Sequence, residues 1–135
     1  MSLQMDVDEL NAFLEGAFEE GRPYAVTVLD EHVTRLVLPA AAVVVRPGGT
    51  IAGPTLMMLA DAAAYAAVLA RIGPVAMAVT SSLSISFLRK PTPGEVLADA
   101  TVLKLGRRLA VVDVRLYAAD QQDPVAQATV TYSIP

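Results

Sequence analysis

The chain has 135 residues, 54% of them hydrophobic and only 18% charged, and a net charge of −4. This suits one domain with more apolar surface than a monomer keeps exposed, which points to a buried subunit interface; the absence of a basic stripe excludes general nucleic-acid binding. With no cysteine and a single histidine, His32, the sequence excludes disulfides, zinc–thiolate centres and sites built on several histidines.

Asp6 to Glu20 places Val7, Leu10, Phe13, Leu14 and Phe18 at helical spacing. It reads as an amphipathic helix opened by Asp6 or Asp8 and closed by Gly21. No basic region followed by an apolar stretch precedes it, so no secretion signal is expected. Tyr24 to Leu29 and His32 to Leu38 are rich in β-branched residues and flank Asp30-Glu31, the pattern of a hairpin. Asp30, Glu31 and His32 sit in that turn, and no metal site is expected from them. Ala42 to Val45 reads as a short strand, broken by Pro47-Gly48-Gly49.

A long helix follows, read as starting at Pro54 with Gly53 as its N-cap and ending at Gly73-Pro74. Its sequence is apolar all round apart from Asp61 and the Tyr65 hydroxyl, so it must be wrapped by other structure. The apolar run Leu56 to Ala70 is about 15 residues long and interrupted by Asp61, too short for a membrane span. Thr80 to Leu88 alternates, with Ser82, Ser84 and Ser86 on one face and Leu83, Ile85 and Phe87 on the other. Glu95 to Leu105, Leu109 to Ala118 and Val125 to Ser133 are three more strands with short connections, which implies an antiparallel meander. The class is α+β: one domain over residues 1–135, with an N-terminal helical segment over 1–22 and a central helix over 53–72 wrapped by a curled antiparallel sheet.

Between Ala40 and Leu88 the only charged residues are Arg46, Asp61 and Arg71. A carboxylate amid leucine and alanine costs several kcal/mol unless it is paired, hydrogen-bonded, solvated through a cleft or protonated. Asp61 is therefore a candidate catalytic acid, and the alternative is a structural carboxylate capping backbone groups or paired with Arg46 or Tyr65 across an interface. Met57 and Met58 are expected to line the core or a pocket.

The segments TIAGPTLMMLADAA, SSLSISFLRKPTPGEVLADATVLKLGRRLAVVDVRLY and VAQATVTYSI resemble the hotdog-fold acyl-CoA thioesterases of the phenylacetate-degradation type, over roughly Thr34 to Ile134. The resemblance implies a hotdog fold, homodimers with a continuous sheet (and often dimers of dimers), active sites between subunits and an acyl-CoA substrate. It implies no cofactor and no metal. It places the catalytic carboxylate on Asp61 and the carbonyl-polarising N–H on Gly53, beside Pro54. Thr80 or Ser81 takes the position of a serine or threonine near the site, and Arg89 and Lys90 fall in the FLR-x-P strand end, where cations can meet CoA phosphates. Three positions depart from the family pattern. The usual histidine of HGG is Ala52, the assisting asparagine or glutamine falls near Arg46, and an asparagine in the following strand is Ser84. Arg46 remains placed to meet a carboxylate or phosphate, whereas Arg107 and Arg108 read as solvated turn residues.

Gly53 and Asp61 are eight residues apart, so about 12 Å separates them along one helix. A nucleophile and an oxyanion donor must both lie within about 3–3.5 Å of the reacting atoms. If both act on one carbonyl they come from two antiparallel helices across a twofold axis. A cytoplasmic acyl-CoA thioesterase acting on a short-chain, medium-chain or aromatic acyl group is the leading expectation. A non-catalytic acyl-CoA-binding or assembly module is second, and a hydratase is third because it lacks a histidine base.

Overall fold

The computed structural model describes residues 2–17 and 22–135. Helix α1 spans Val7–Ala17. Of the two candidate caps Asp6 is the one used: its Oδ1 accepts the Glu9 N–H at 2.8 Å while Glu9 Oε1 accepts the Asp6 N–H at 3.2 Å, a reciprocal capping box. Leu10 and Leu14 are its buried residues. The expected closure at Gly21 lies outside the described residues.

Strands β1 (Ala25–Leu29) and β2 (Thr34–Leu38) form the expected hairpin. Asp30 Oδ1 accepts the N–H groups of His32 and Val33 at 2.7 and 2.9 Å, so this carboxylate organises the turn and is held below its ordinary pKa by those two donors. The strand expected over Ala42–Val45 is absent. Ala40–Ala42 is a turn of 3-10 helix, and β3 (Val45–Arg46) pairs with β4 (Thr50–Ile51) as a separate two-stranded hairpin. Gly48 and Gly49, at φ of 97° and 77°, turn the chain there, a geometry that side chains resist.

The central helix α2 runs Gly53–Ile72. Its N-cap is Ala52, one residue earlier than expected, with no side-chain cap bond, because Gly53 already takes helical geometry ahead of Pro54. Gly73, at φ 93°, ends it and donates to the Leu69 carbonyl at 2.8 Å. At 20 residues, over the bounds 53–72 read from sequence, the helix is long and apolar enough to cross a membrane, but 72% of its apolar window is buried inside the fold. Arg71 is buried with its charge satisfied by Thr34 Oγ1 at 3.1 Å and by the carbonyls of Ala67 and Asp30 at 2.9 and 3.0 Å. It pins the end of α2 to the β1–β2 hairpin.

The remaining strands are β5 (Val79–Phe87), β6 (Val96–Leu105), β7 (Leu109–Ala118) and β8 (Ala126–Ser133). One antiparallel sheet has the order β1-β2-β6-β7-β8-β5. The meander expectation holds for β6-β7-β8 and fails for β5, which pairs with β8 at the far edge. The segment 88–95 makes that crossing over the strand ends, anchored by Thr92 Oγ1 on the Ala119 carbonyl at 2.7 Å and by the N–H groups of Leu88 and Arg89 on Val125.

The sheet curls around α2. Its inward side chains include the buried alanines Ala98, Ala100, Ala110, Ala126 and Ala128, facing a helix whose Ala60, Ala63, Ala64, Ala66, Ala67 and Ala70 are all fully buried. Small residues on both sides let helix and sheet approach closely. This is the hotdog fold, with α1 packed outside β1 and against α2.

The alternation along β5 breaks at one point. Thr80 pairs with Tyr132 and Ser82 with Thr131, leaving Ser81 as an inserted residue. Strict alternation from Ser82 would turn Thr80 outward. The bulge turns it inward, beside Tyr132 and on the face of Leu83, Ile85 and Phe87.

Candidate active site

A cavity of about 1130 Å³ opens between α1, α2 and the β8–β5 edge of the sheet. On α2 its lining residues are Met58, Asp61, Ala62 and Tyr65, a stripe at i, i+3, i+4 and i+7 along one helical face. Val79, Thr80 and Tyr132 form the sheet wall, and Ala12, Phe13 and Arg22 to Tyr24 close the other side.

Asp61 is half-buried at this wall. Thr80 Oγ1 donates to its Oδ1 at 2.6 Å and the Tyr132 hydroxyl donates to the same oxygen at 2.8 Å. Tyr132 also reaches the Asp61 main-chain carbonyl at 3.2 Å. Two cross-strand neighbours thus grip one carboxylate oxygen, and among the described residues Oδ2 carries no hydrogen bond. Within one chain, the cost of an acid in apolar surroundings is met by two hydroxyl donors and an open cleft.

Burial, foremost, pushes the Tyr132 phenol far above its ordinary pKa, with the Asp61 carboxylate beside it acting in the same direction, so Tyr132 stays a donor throughout the physiological range. The Tyr132 ring lies 5.8 Å from that of Tyr65, centroid to centroid, and the Tyr65 hydroxyl donates to the Ala76 carbonyl at 3.1 Å.

The other residues read from the sequence lie elsewhere. Gly53 begins α2, about 12 Å from Asp61 at the rise of an α-helix, and the Phe87 ring lies over it, 3.4 Å from where a Cβ would stand. Arg46 and Pro54 are exposed around that helix start. Ser81 is the bulged residue, its hydroxyl on the Thr131 carbonyl at 3.3 Å. Arg89 follows the far end of β5, with Nη1 on the Pro124 carbonyl at 2.6 Å, and Lys90 is exposed beside it. None of these six lines the cavity. One chain therefore holds two separated groups, with Asp61, Thr80 and Tyr132 on the cavity and Gly53, Pro54 and three cations towards the other end of β5. Met58 lines the cavity as expected, whereas Met57 is 42% exposed at the surface.

Tyr132 and Arg22 line the cavity and were missed by sequence reading. The available signal for Tyr132 was its phase: on β8 it continues the buried series Ala126, Ala128 and Val130 as the one member with a hydroxyl.

A hotdog sheet wrapped on its helix, with a carboxylate held open on a large cleft, defines a class, and the comparisons agree with it. The model of the thioesterase superfamily matches residues 48–125, more than half of the chain: the protein belongs to the thioesterase superfamily, whose membership supports thioester hydrolysis as its general chemistry. A candidate thioesterase from Silicibacter sp. TM1040 is 43% identical, with a TM-score of 0.91 over 100% of this chain and 95% of that one. The phenylacetic acid degradation protein PaaI from Thermus thermophilus, solved as a single-residue mutant, is 27% identical, with a TM-score of 0.70 over 83% of this chain and 93% of its own. Zebrafish thioesterase superfamily member 2, at 18% identity and a TM-score of 0.80 over 98% and 100% of the two chains, shares the fold. Comparison with curated protein sequences gives no match.

Proposed function

We propose that the protein hydrolyses an acyl-CoA thioester to a free acid and CoA, with Asp61 as the catalytic carboxylate. The observation that carries this reading is a half-buried carboxylate on a cavity large enough for an acyl group, with Oδ1 held by Thr80 and Tyr132 and Oδ2 without a hydrogen bond among the described residues. Oδ2 either attacks the carbonyl, giving a mixed anhydride that water then opens, or takes a proton from the attacking water. In both routes the C–S bond breaks and the CoA sulfur leaves as a thiolate that is reprotonated.

The developing oxyanion needs a donor, and the first N–H groups of α2, at the positive end of its dipole, supply one from a second copy of the chain. An antiparallel twofold pairing would set Gly53 of one protomer opposite Asp61 of its partner and bring Arg46, Arg89 and Lys90 toward the CoA phosphates. The exposed apolar residues around these parts support such a pairing: Val44, Val45, Met57, Met58, Phe87 and Leu88 are all more than a third exposed, and β5 is an unpaired nine-residue edge.

The test is hydrolysis of a panel of acyl-CoAs followed by thiol release. Asp61→Asn is expected to lower kcat by at least about a hundredfold with an unchanged circular dichroism spectrum. Wild-type turnover retained in that variant rejects the assignment. Saturable acyl-CoA binding with no turnover by the wild-type protein would make it a binding module.

A further inference from the structure

Phe87 stands at the start of α2 and has no part in the chemistry above. It closes β5, paired with Ala126 of β8, and the two residues after it both donate to the Val125 carbonyl, Leu88 at 2.8 Å and Arg89 at 3.2 Å. The main chain under the ring is thus fixed to β8. Its side chain continues the inward series of Leu83 and Ile85, but here the strand has reached the N-terminal end of α2, so the ring meets the helix start. It approaches Gly53 tip first: Cζ lies 3.4 Å, Cε1 3.6 Å and Cε2 4.0 Å from where a Cβ would stand. The residue is 53% exposed, which leaves aromatic surface open beside that glycine.

Gly53 is also where α2 has a donor to spend. Pro54 has no N–H, and the Thr55 N–H is taken by the Ala52 carbonyl at 3.0 Å. Among the described residues the Gly53 N–H has no partner, so the donor proposed for the oxyanion is a single, identified one. Two covalent bonds from a Cβ to its own nitrogen span about 2.5 Å, which puts the tip of the ring no more than about 6 Å from that nitrogen. An oxygen accepting from the N–H stands about 2.9 Å from it, so the ring borders the carbonyl group held there. Chain order says which side of the carbonyl the ring meets. Arg89 and Lys90, the cations proposed for the CoA phosphates, follow Phe87 directly, whereas the acyl cavity lies with Asp61 and Thr80. The sulfur side is the one that runs past Phe87.

We infer that Phe87 is a recognition residue for the thiol arm of the substrate, packing on the thioester sulfur and the methylenes next to it. Sulfur against an aromatic ring is a favourable contact. The same ring shields the Gly53 N–H from water, and a hydrogen bond to the oxyanion is stronger in such a low-dielectric place. No bond forms or breaks at Phe87; it holds the sulfur while the C–S bond breaks. The enzyme then reads the arm beside the reacting bond as well as the distant phosphates. This inference deepens the thioesterase reading and rests on it for the paired protomers and the position of the thioester.

The experiment compares an acyl-CoA with the N-acetylcysteamine thioester of the same acid, which keeps the sulfur and its neighbouring methylenes but has no phosphate. Phe87→Ala is expected to lower kcat/KM by about tenfold on both, the upper range of a sulfur–ring contact. Phe87→Leu keeps apolar bulk for subunit packing and removes the ring. It should lose at least about threefold on both substrates while light scattering shows wild-type assembly. Wild-type kcat/KM on the short thioester in either variant overturns the inference, as does a loss confined to the CoA substrate. A loss seen only in protein that has fallen to monomers assigns the ring to the subunit interface and overturns it too. If the wild-type protein hydrolyses neither compound, calorimetry with their non-hydrolysable thioether analogues decides. Weaker binding of both analogues by the two variants would then keep this inference and sink the thioesterase reading; hydrolysis indifferent to Phe87 would do the reverse.

Discussion

Two hydroxyl groups on one carboxylate oxygen set the behaviour of the cleft at the scale of single residues. Thr80 and Tyr132 fix the Asp61 rotamer through one oxygen, and among the described residues the second carries no hydrogen bond. Tyr132→Phe keeps the ring against Tyr65 and removes one of the two grips. It is expected to cost about 1 kcal/mol of stability or less, because the half-exposed acid can take a water in place of the phenol. It should lower kcat by about tenfold to a hundredfold through lost orientation, measured beside its denaturant midpoint. Asp61 was legible in the sequence because a lone charge in a run of alanines stands out against its neighbours. Tyr132 was not, since tyrosine counts as an ordinary strand residue until the fold turns it toward something. Arg22 was hidden for another reason: it follows a helix in a loop, where a cation reads as solvated, and only the packing of Asn11 against β1 shows it to be enclosed.

At the level of elements, the helices and most strands followed from periodicity, and the departures have local causes. The bulge at Ser81 left no mark in the sequence, because Val79 to Ser82 are all compatible with either face, yet it alone turns Thr80 toward Asp61. The exchange of an expected strand at Ala42–Val45 for the β3–β4 hairpin came from two glycines at positive φ, which let the chain double back before α2. The central helix depends on the alanines that face it. Ala64 is fully buried, and Ala64→Leu inserts bulk where neither helix nor sheet can give way. Denaturant unfolding should register a loss of about 1–3 kcal/mol, whereas a substitution of similar size at the exposed Met57 should change stability by less than about 0.5 kcal/mol.

For the whole molecule, the separation of Gly53 from Asp61 along one helix turns the proposed chemistry into a specific demand on assembly. Gly53→Pro removes the N–H at a position where proline suits a helix start, and Gly53→Ala keeps it, its Cβ at an ordinary 3.4 Å from Phe87. If the two groups meet only between protomers, Gly53→Pro and Asp61→Asn are each inactive alone. Mixed and allowed to exchange subunits, they should recover about a quarter of wild-type activity, from the one intact site of each mixed dimer. No recovery in a mixture shown to exchange would place both groups in a single chain's site, against the geometry of α2. Much of the fold was legible because burial writes itself as period in sequence. The chain order of the sheet was not, since β5 crosses to β8 through contacts of segment 88–95 that no periodicity encodes.

The close alanine seam between α2 and the sheet has a consequence for how such a protein can diversify. Neither wall of that seam has slack, so the cavity cannot be widened or narrowed there without loosening the core. The adjustable boundary is the outer one, where α1 and residues 22–24 lean on the cleft from outside the wrapped helix. Changes in this short N-terminal flank would then reshape the cleft while leaving Asp61, Thr80 and Tyr132 where they are.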